Sequence, residues 1–494
     1  MIKKILPIIF LISCTNTKEQ DRLRTLDIHI PKMEINLDPQ HMSDLFSMMI
    51  NMQIYRSLLG FSASGEVIPS LAKHWKKSED GRIYTFILAD KTFSDGTPIE
   101  SKHVVNTFAR AFKTKAEITG DLNYIVGVEE YLKSGNIGDF GVKELSKKEV
   151  AFKLKTKSNI FLKQIASVDL SILPLETPDS ALSNTRSFSG PYKVESVDGD
   201  EIKLTLWIKR EKSPKKVRFF KIDRSDSINY ALQKKTDYLG FETLTQEQLS
   251  KLNKEGWQSF LNAVTMERFL ILNPKKVSFN KRRDIARIIN PKEIVSLANN
   301  NLLLPAWGAI PDVYPGHLNE EEYRATIPLV KSSDLKEVEI EYHKNDSIAV
   351  QLIGAIKESF SKINVKLNTT ALDSPTYYDH FFNGNGTILL AAKGIDYPDG
   401  YSNLAYFSSY PKINYLHVDS KNINKMLQDL VALDNEDHIV KGYKNVQKAA
   451  LLEYTFVPIS FGSGFAGLWS KKVKFVPAHP MGIQTLPFED IEMK

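Results

Sequence analysis

Apolar residues alternate with polar ones at Leu26, Ile28 and Ile30, a period of two that predicts a half-buried strand over 26–30. The spacing then turns helical. Leu45, Phe46, Met49, Ile50, Ile54 and Leu58 follow a Ser43-Asp44 start and predict a helix within 43–59. Tyr84, Phe86 and Leu88 share one face behind the turn dipeptide Asp80-Gly81, so a turn leads into a strand. A second turn at Phe93–Pro98 precedes a helical pattern from Ser101 through Phe112. Towards the C-terminus a strand (Val338–Tyr342), a helix (Ala349–Ser361) and a strand (Val365–Asn368) alternate, and Trp469–Val476 reads as a further strand. Strands interleaved with helices define an α/β chain. No period of roughly 20–50 residues repeats, which excludes a solenoid.

Composition narrows the class. At about 100–200 residues per domain, 494 residues predict two to four domains. Hydrophobic residues at 42% and charged residues at 25% exclude a disordered or fibrous chain. The 65 basic and 59 acidic side chains leave a net charge of +6, too thin over this length to point to nucleic acid. The basic stretch Lys209–Arg224 is interrupted by Val217, Phe219, Phe220 and Ile222 at strand spacing, so it reads as the solvated face of a strand. One cysteine excludes an intramolecular disulfide framework and any cysteine-rich metal site.

That cysteine closes the N-terminal segment. Lys3 and Lys4 precede an apolar run, Ile5–Ile12, which ends in Leu11-Ile12-Ser13-Cys14. The run is too short for a hydrocarbon core of about 30 Å and reads as a processing segment. Its L-x-S-C ending resembles the lipobox of bacterial lipoproteins. The resemblance implies a signal peptide over 1–13, lipidation of Cys14, a polar tether over 14–23 and attachment to a membrane outside the cytoplasm. A plain secretory signal, or a short buried strand, is the other reading.

Three linked segments carry a second resemblance. Gly65–Trp75 reads G-x-V-x-P-S-L-A-x-x-W, Asp80–Leu88 reads D-G-x-x-Y-T-F-x-L, and Phe93–Phe108 reads F-S-D-G-T-P-I-x-S-x-x-V-V-x-T-F. In this order they resemble the family 5 extracellular solute-binding proteins, the peptide-capturing components of ABC importers. Weaker echoes continue through Gly190-Pro191-Tyr192, through Tyr230–Asp237, which lacks the family's glycine, and through Leu304–Gly308 and Pro458-Ile459. The resemblance implies the type II periplasmic-binding-protein fold: two lobes, an additional inserted domain and a ligand cleft between the lobes. Lobe I is expected over 24–50, 166–262 and 466–494, the inserted domain over 51–165, and lobe II over 263–465. A monomer is expected, working with a permease and ATPase complex.

The resemblance also implies site residues. Asp396 occupies the position of the carboxylate that pairs with a peptide's α-ammonium; read from the residues alone, a cap of the turn before Pro398 is the alternative. The backbone of Gly394 and Ile395 is expected to pair with an extended ligand as an added strand. Asp44 and Leu45 would face it from the other lobe, and Trp307 and Tyr397 are candidate pocket walls. Lys393 stands where the family usually has Trp, and it either repels a ligand amine or meets a ligand carboxylate. A non-peptide solute such as nickel, sugar or haem, or a sensor role without transport, are the alternative readings.

Enzyme chemistry finds no signature. The ten histidines form no H-E-x-x-H, and no G-x-S-x-G elbow or Walker A loop occurs. The one G-x-G-x-x-G, Gly462–Gly467, is followed by too little chain for a dinucleotide unit and reads as a loop at the hinge or cleft rim. Asp396–Gly400 lacks the alternating oxygen ligands of a calcium loop. No cofactor is expected.

Overall fold

The computed structural model describes residues 24–42, 44–182, 186–240, 246–260, 266–300, 302–409, 416, 418–462 and 467–494. Cys14, the signal and tether segments, and 463–466 of the glycine-rich stretch lie outside these.

The alternating N-terminal segment forms the strand Thr25–Pro31, with Leu26, Ile28 and Ile30 buried. It pairs in parallel with Lys216–Ile222, which continues to Glu201–Leu206 and Tyr192–Asp198 in a four-stranded sheet. The last two strands make a hairpin that turns at Gly199, whose φ of 52° suits a residue without Cβ. In the basic stretch only Lys216–Ile222 is strand; Arg218 pairs there with Asp27 and Glu201. Beside this sheet packs the helix Leu45–Ile54, which buries Met49, Ile50 and Ile54.

A six-stranded sheet runs in the order Leu303–Pro305, Phe456–Gly462, Met266–Leu272, Ile388–Lys393, Glu337–His343, Lys366–Leu372. Its central strands are covered on both faces, which is why Phe269–Leu272 and Ile388–Ala391 are unbroken apolar runs. A third, antiparallel sheet joins Ala72–Lys77, Ile83–Leu88, Glu149–Lys153 and Val142–Ser146. The helix Ser101–Lys113 contributes Val104, Phe108 and Phe112 to the same core as the buried Tyr84, Phe86 and Leu88.

The buried apolar side chains gather in three large clusters. One lies within 269–459, a second within 58–172, and a third combines 26–55, 173–238 and 469–493. The chain passes between the first and third twice. Gln258–Ser259 pairs with Leu468–Trp469 on one side of the passage, and Met266 pairs with Gly462 on the other.

Trp469–Val476 is not one strand. It splits into Leu468–Trp469 and Val473–Phe475 around a turn closed by the Val473 N–H on the Ser470 carbonyl. The buried Asp237 explains the break, because it accepts from Ser470 Oγ and binds Lys472 Nζ, and this pins both residues of the turn. Among the described residues, no helix is long and apolar enough to cross a membrane.

Candidate functional site

The strand Ile388–Lys393 lies between Met266–Leu272, antiparallel, and Glu337–His343, parallel, and delivers Lys393 opposite Glu267 at its end. The chain then leaves the sheet. Gly394 gives its carbonyl to the Tyr406 hydroxyl at 2.9 Å, while Ile395 and Tyr397 turn inward and are buried. Between them Asp396 points outward. Its N–H donates to Ser402 Oγ at 2.8 Å, and its carboxylate, with the side chain 40% exposed, meets Lys393 Nζ at 3.2 Å. Lys393 is itself only 14% exposed and lies over the Tyr406 ring at 4.4 Å from the centroid.

The turn before the next helix is capped by another residue. Asp399 is the N-cap of Gly400–Leu404, accepting from the Tyr401 N–H at 2.7 Å. It also accepts from the Tyr443 hydroxyl and binds Lys163 Nζ at 2.5 Å. Among the described residues, Asp396 receives no backbone N–H, so its carboxylate is not committed to the turn.

Asp44 is the N-cap of Leu45–Ile54. Its carboxylate accepts from the Phe46 and Ser47 N–H groups at 2.9 and 2.8 Å and from Ser47 Oγ at 2.6 Å. It lies close enough to Tyr378, on the helix Ser374–Asn383, to act on its ionisation. Burial raises the pKa of that hydroxyl, and the charges of Asp44 and Asp346 raise it further. Leu45 packs on the core of its own sheet. Trp307 is half-buried against Tyr323, ring centroids 5.6 Å apart, with the Arg324 guanidinium 5.9 Å from its ring. The structure thus brings Lys393, Gly394 and Asp396 to one loop surface, and the side chains of Ile395 and Tyr397 into the core beneath it.

Sequence reasoning missed the groups that hold this loop. Glu267 is fully buried in the strand opposite Lys393; its Oε2 lies 3.5 Å from Asn403 Nδ2, and its Oε1 is without a partner among the described residues. Burial raises its pKa well above the usual carboxylate range, which favours the protonated acid. The signal was present: Glu267 and Arg268 are charges in an otherwise apolar strand. Arg268 reaches Asp346 at 3.5 Å. Lys163 and Asn159, which reach towards 399 and 430–433 from elsewhere in the chain, left no such mark.

A two-lobed α/β molecule with a polar loop at the end of an interior strand of its larger sheet has the architecture of the two-lobed solute-binding proteins. More narrowly, the chain belongs to the family 5 bacterial extracellular solute-binding proteins of ABC importers: the family description "Bacterial extracellular solute-binding proteins, family 5 Middle" matches residues 66–415. A curated relative, the probable D,D-dipeptide-binding periplasmic protein DdpA of Escherichia coli, is 23% identical over 480 residues, 90% of each chain. The solved murein tripeptide binding protein MppA of E. coli superposes with a TM-score of 0.79 at 18% identity, over 95% of this chain and 98% of that one. DppA of Helicobacter pylori, solved with the peptide STSA, gives 0.76 at 18% identity over 97% and 99%. Members of this family are periplasmic or extracellular.

Proposed function

We propose that this protein captures short peptides in the cleft between its lobes and delivers them to an ABC permease and ATPase complex. The single observation that carries the reading is the outward-facing carboxylate of Asp396, in a polar loop that leaves the end of a buried strand. Such a loop offers backbone groups and a charge to the end of an extended ligand. The printed ligands of the relatives, a D,D-dipeptide, a murein tripeptide and the peptide STSA, support the same class. Lobe I comprises 24–50, 166–262 and 466–494, lobe II 263–465 and the inserted domain 51–165; the three apolar clusters support this division. Asp44 and Leu45 approach the ligand from lobe I. A lipid on Cys14 tethers the monomer to its membrane.

The test uses the full-length chain purified in mild detergent without denaturation. Native mass spectrometry should reveal a co-purified peptide, or a pool of di- to pentapeptides should raise the melting temperature by several degrees. A protein with no bound mass and no shift against the pool is not a peptide receptor.

A further inference from the structure

The loop surface at 393–396 carries both signs of charge. Lys393 Nζ lies 3.2 Å from Asp396 Oδ2, and the lysine is held from the other side by the Tyr406 ring, 4.4 Å from Nζ to centroid. Tyr406 is fixed in turn, being 2% exposed with its hydroxyl on the Gly394 carbonyl. The ammonium is therefore wedged between an aromatic face and a carboxylate, and most of its stem is out of water. A ligand ammonium brought to Asp396 would stand about one ion-pair length from a second cation, and the repulsion would offset most of what the carboxylate offers. A ligand carboxylate brought to Lys393 meets the mirror problem at Asp396. A neutral amide meets neither. Its carbonyl oxygen accepts from the lysine, its N–H donates to the carboxylate, and it leaves water at far lower cost than an ion.

We infer that Lys393 is a specificity-determining residue that sets this receptor for ligands whose bound end is uncharged, an acylated amino group in place of a free ammonium. This rests on the peptide reading above and narrows its ligand class.

The experiment is isothermal titration calorimetry of the full-length chain in mild detergent, with two pools of C-terminally amidated tripeptides. The pools are identical except that one is N-acetylated and the other has free amino termini. The wild type should bind the acetylated pool at least tenfold more tightly. Lys393→Met, which keeps the stem over Tyr406 and removes the charge, should reverse the order. Asp396→Asn keeps the lysine and removes its counter-charge, and it should weaken the free-amine pool more than the acetylated pool. A wild type that prefers free amines, or a preference unchanged in Lys393→Met, overturns the inference and leaves peptide capture standing. No heat from either pool with any of the three proteins removes the peptide reading, and this inference with it.

Discussion

Lys163 donates to Asp399 at 2.5 Å, joining the helix Phe161–Gln164 of one apolar cluster to the loop that bears Asp396 in another. The contact is not isolated. Asn159 Nδ2 donates to the carbonyls of Leu430 and Leu433 at 3.0 Å each, and its N–H to that of Val431, so a residue from elsewhere in the chain satisfies the open carbonyl end of the helix Lys421–Val431. Gly65, with φ of 85°, sits close to Pro398 and Pro480, where a Cβ would come within 3.2 Å of the former. Gly65, Asn159 and Lys163 therefore grip the corner that follows the loop bearing Asp396 and the helix end at 430–433.

Lys163→Met should loosen that grip. The lysine is a third exposed, so the cost to overall stability is modest, about 1 kcal/mol. The larger effect should be on shape: small-angle scattering of the variant should give a larger radius of gyration than the wild type at equal concentration. An unchanged profile would show that the pair contributes nothing to holding the two clusters together.

Gly190 tests the packing between the strand Tyr192–Asp198 and the end of the helix Leu45–Ile54. A Cβ there would lie 2.5 Å from the Ile54 carbonyl carbon and 2.7 Å from the Gln53 oxygen, both backbone atoms that cannot swing aside. Gly190→Ala should cost about 1–3 kcal/mol, read as a lower urea midpoint with an unchanged slope.

Glu267 gives stability a dependence on pH. Its folded-state pKa is raised above the ordinary 4.5 by burial, so above that pH the folded state holds a proton that the unfolded state has released. Stability attributable to this group is complete below pH 4.5 and declines as pH rises towards the folded value, by up to about 1.4 kcal/mol per unit. Glu267→Gln keeps the shape without the proton. The melting temperature of the variant minus that of the wild type should grow as pH rises above 4.5.

His479 acts at the other end of the range. Burial, aided by the charge of Arg56, lowers its pKa from 6.5 to about 4, and the Thr485 hydroxyl lies 2.9 Å from its Nδ1. A depressed histidine contributes stability that is complete above pH 6.5 and is lost as pH falls through about 4, a total near 3 kcal/mol. His479→Asn places an oxygen near the position of Nδ1. The variant should start less stable at pH 7 and lose less than the wild type between pH 6.5 and pH 4.5 in a chemical denaturation series.

Local structure was legible wherever one chain segment decides it. The strand at 25–31, the helix within 43–59 and the turn-strand at Asp80–Leu88 follow from spacing and turn dipeptides alone. The family likewise followed from motifs whose residues are neighbours in sequence. The broken strand after Trp469 was not legible, because the cause is Asp237, more than two hundred positions away. Lys234 shows a subtler case. It holds φ of 58°, a left-handed step made by a lysine in the segment that lacks the glycine. Asp396 was picked out by its place in a motif. That its charge is answered by Lys393 depends on a ring twelve residues beyond Gly394, which no spacing rule announces.

The two passages between the lobes have a mechanical consequence. Their described ends are antiparallel partners, Ser259 with Leu468 on one side and Met266 with Gly462 on the other. Sliding one passage along the other would break register at both pairings at once. The two pairings therefore hold the cluster within 269–459 in one alignment with the cluster built from 26–55, 173–238 and 469–493.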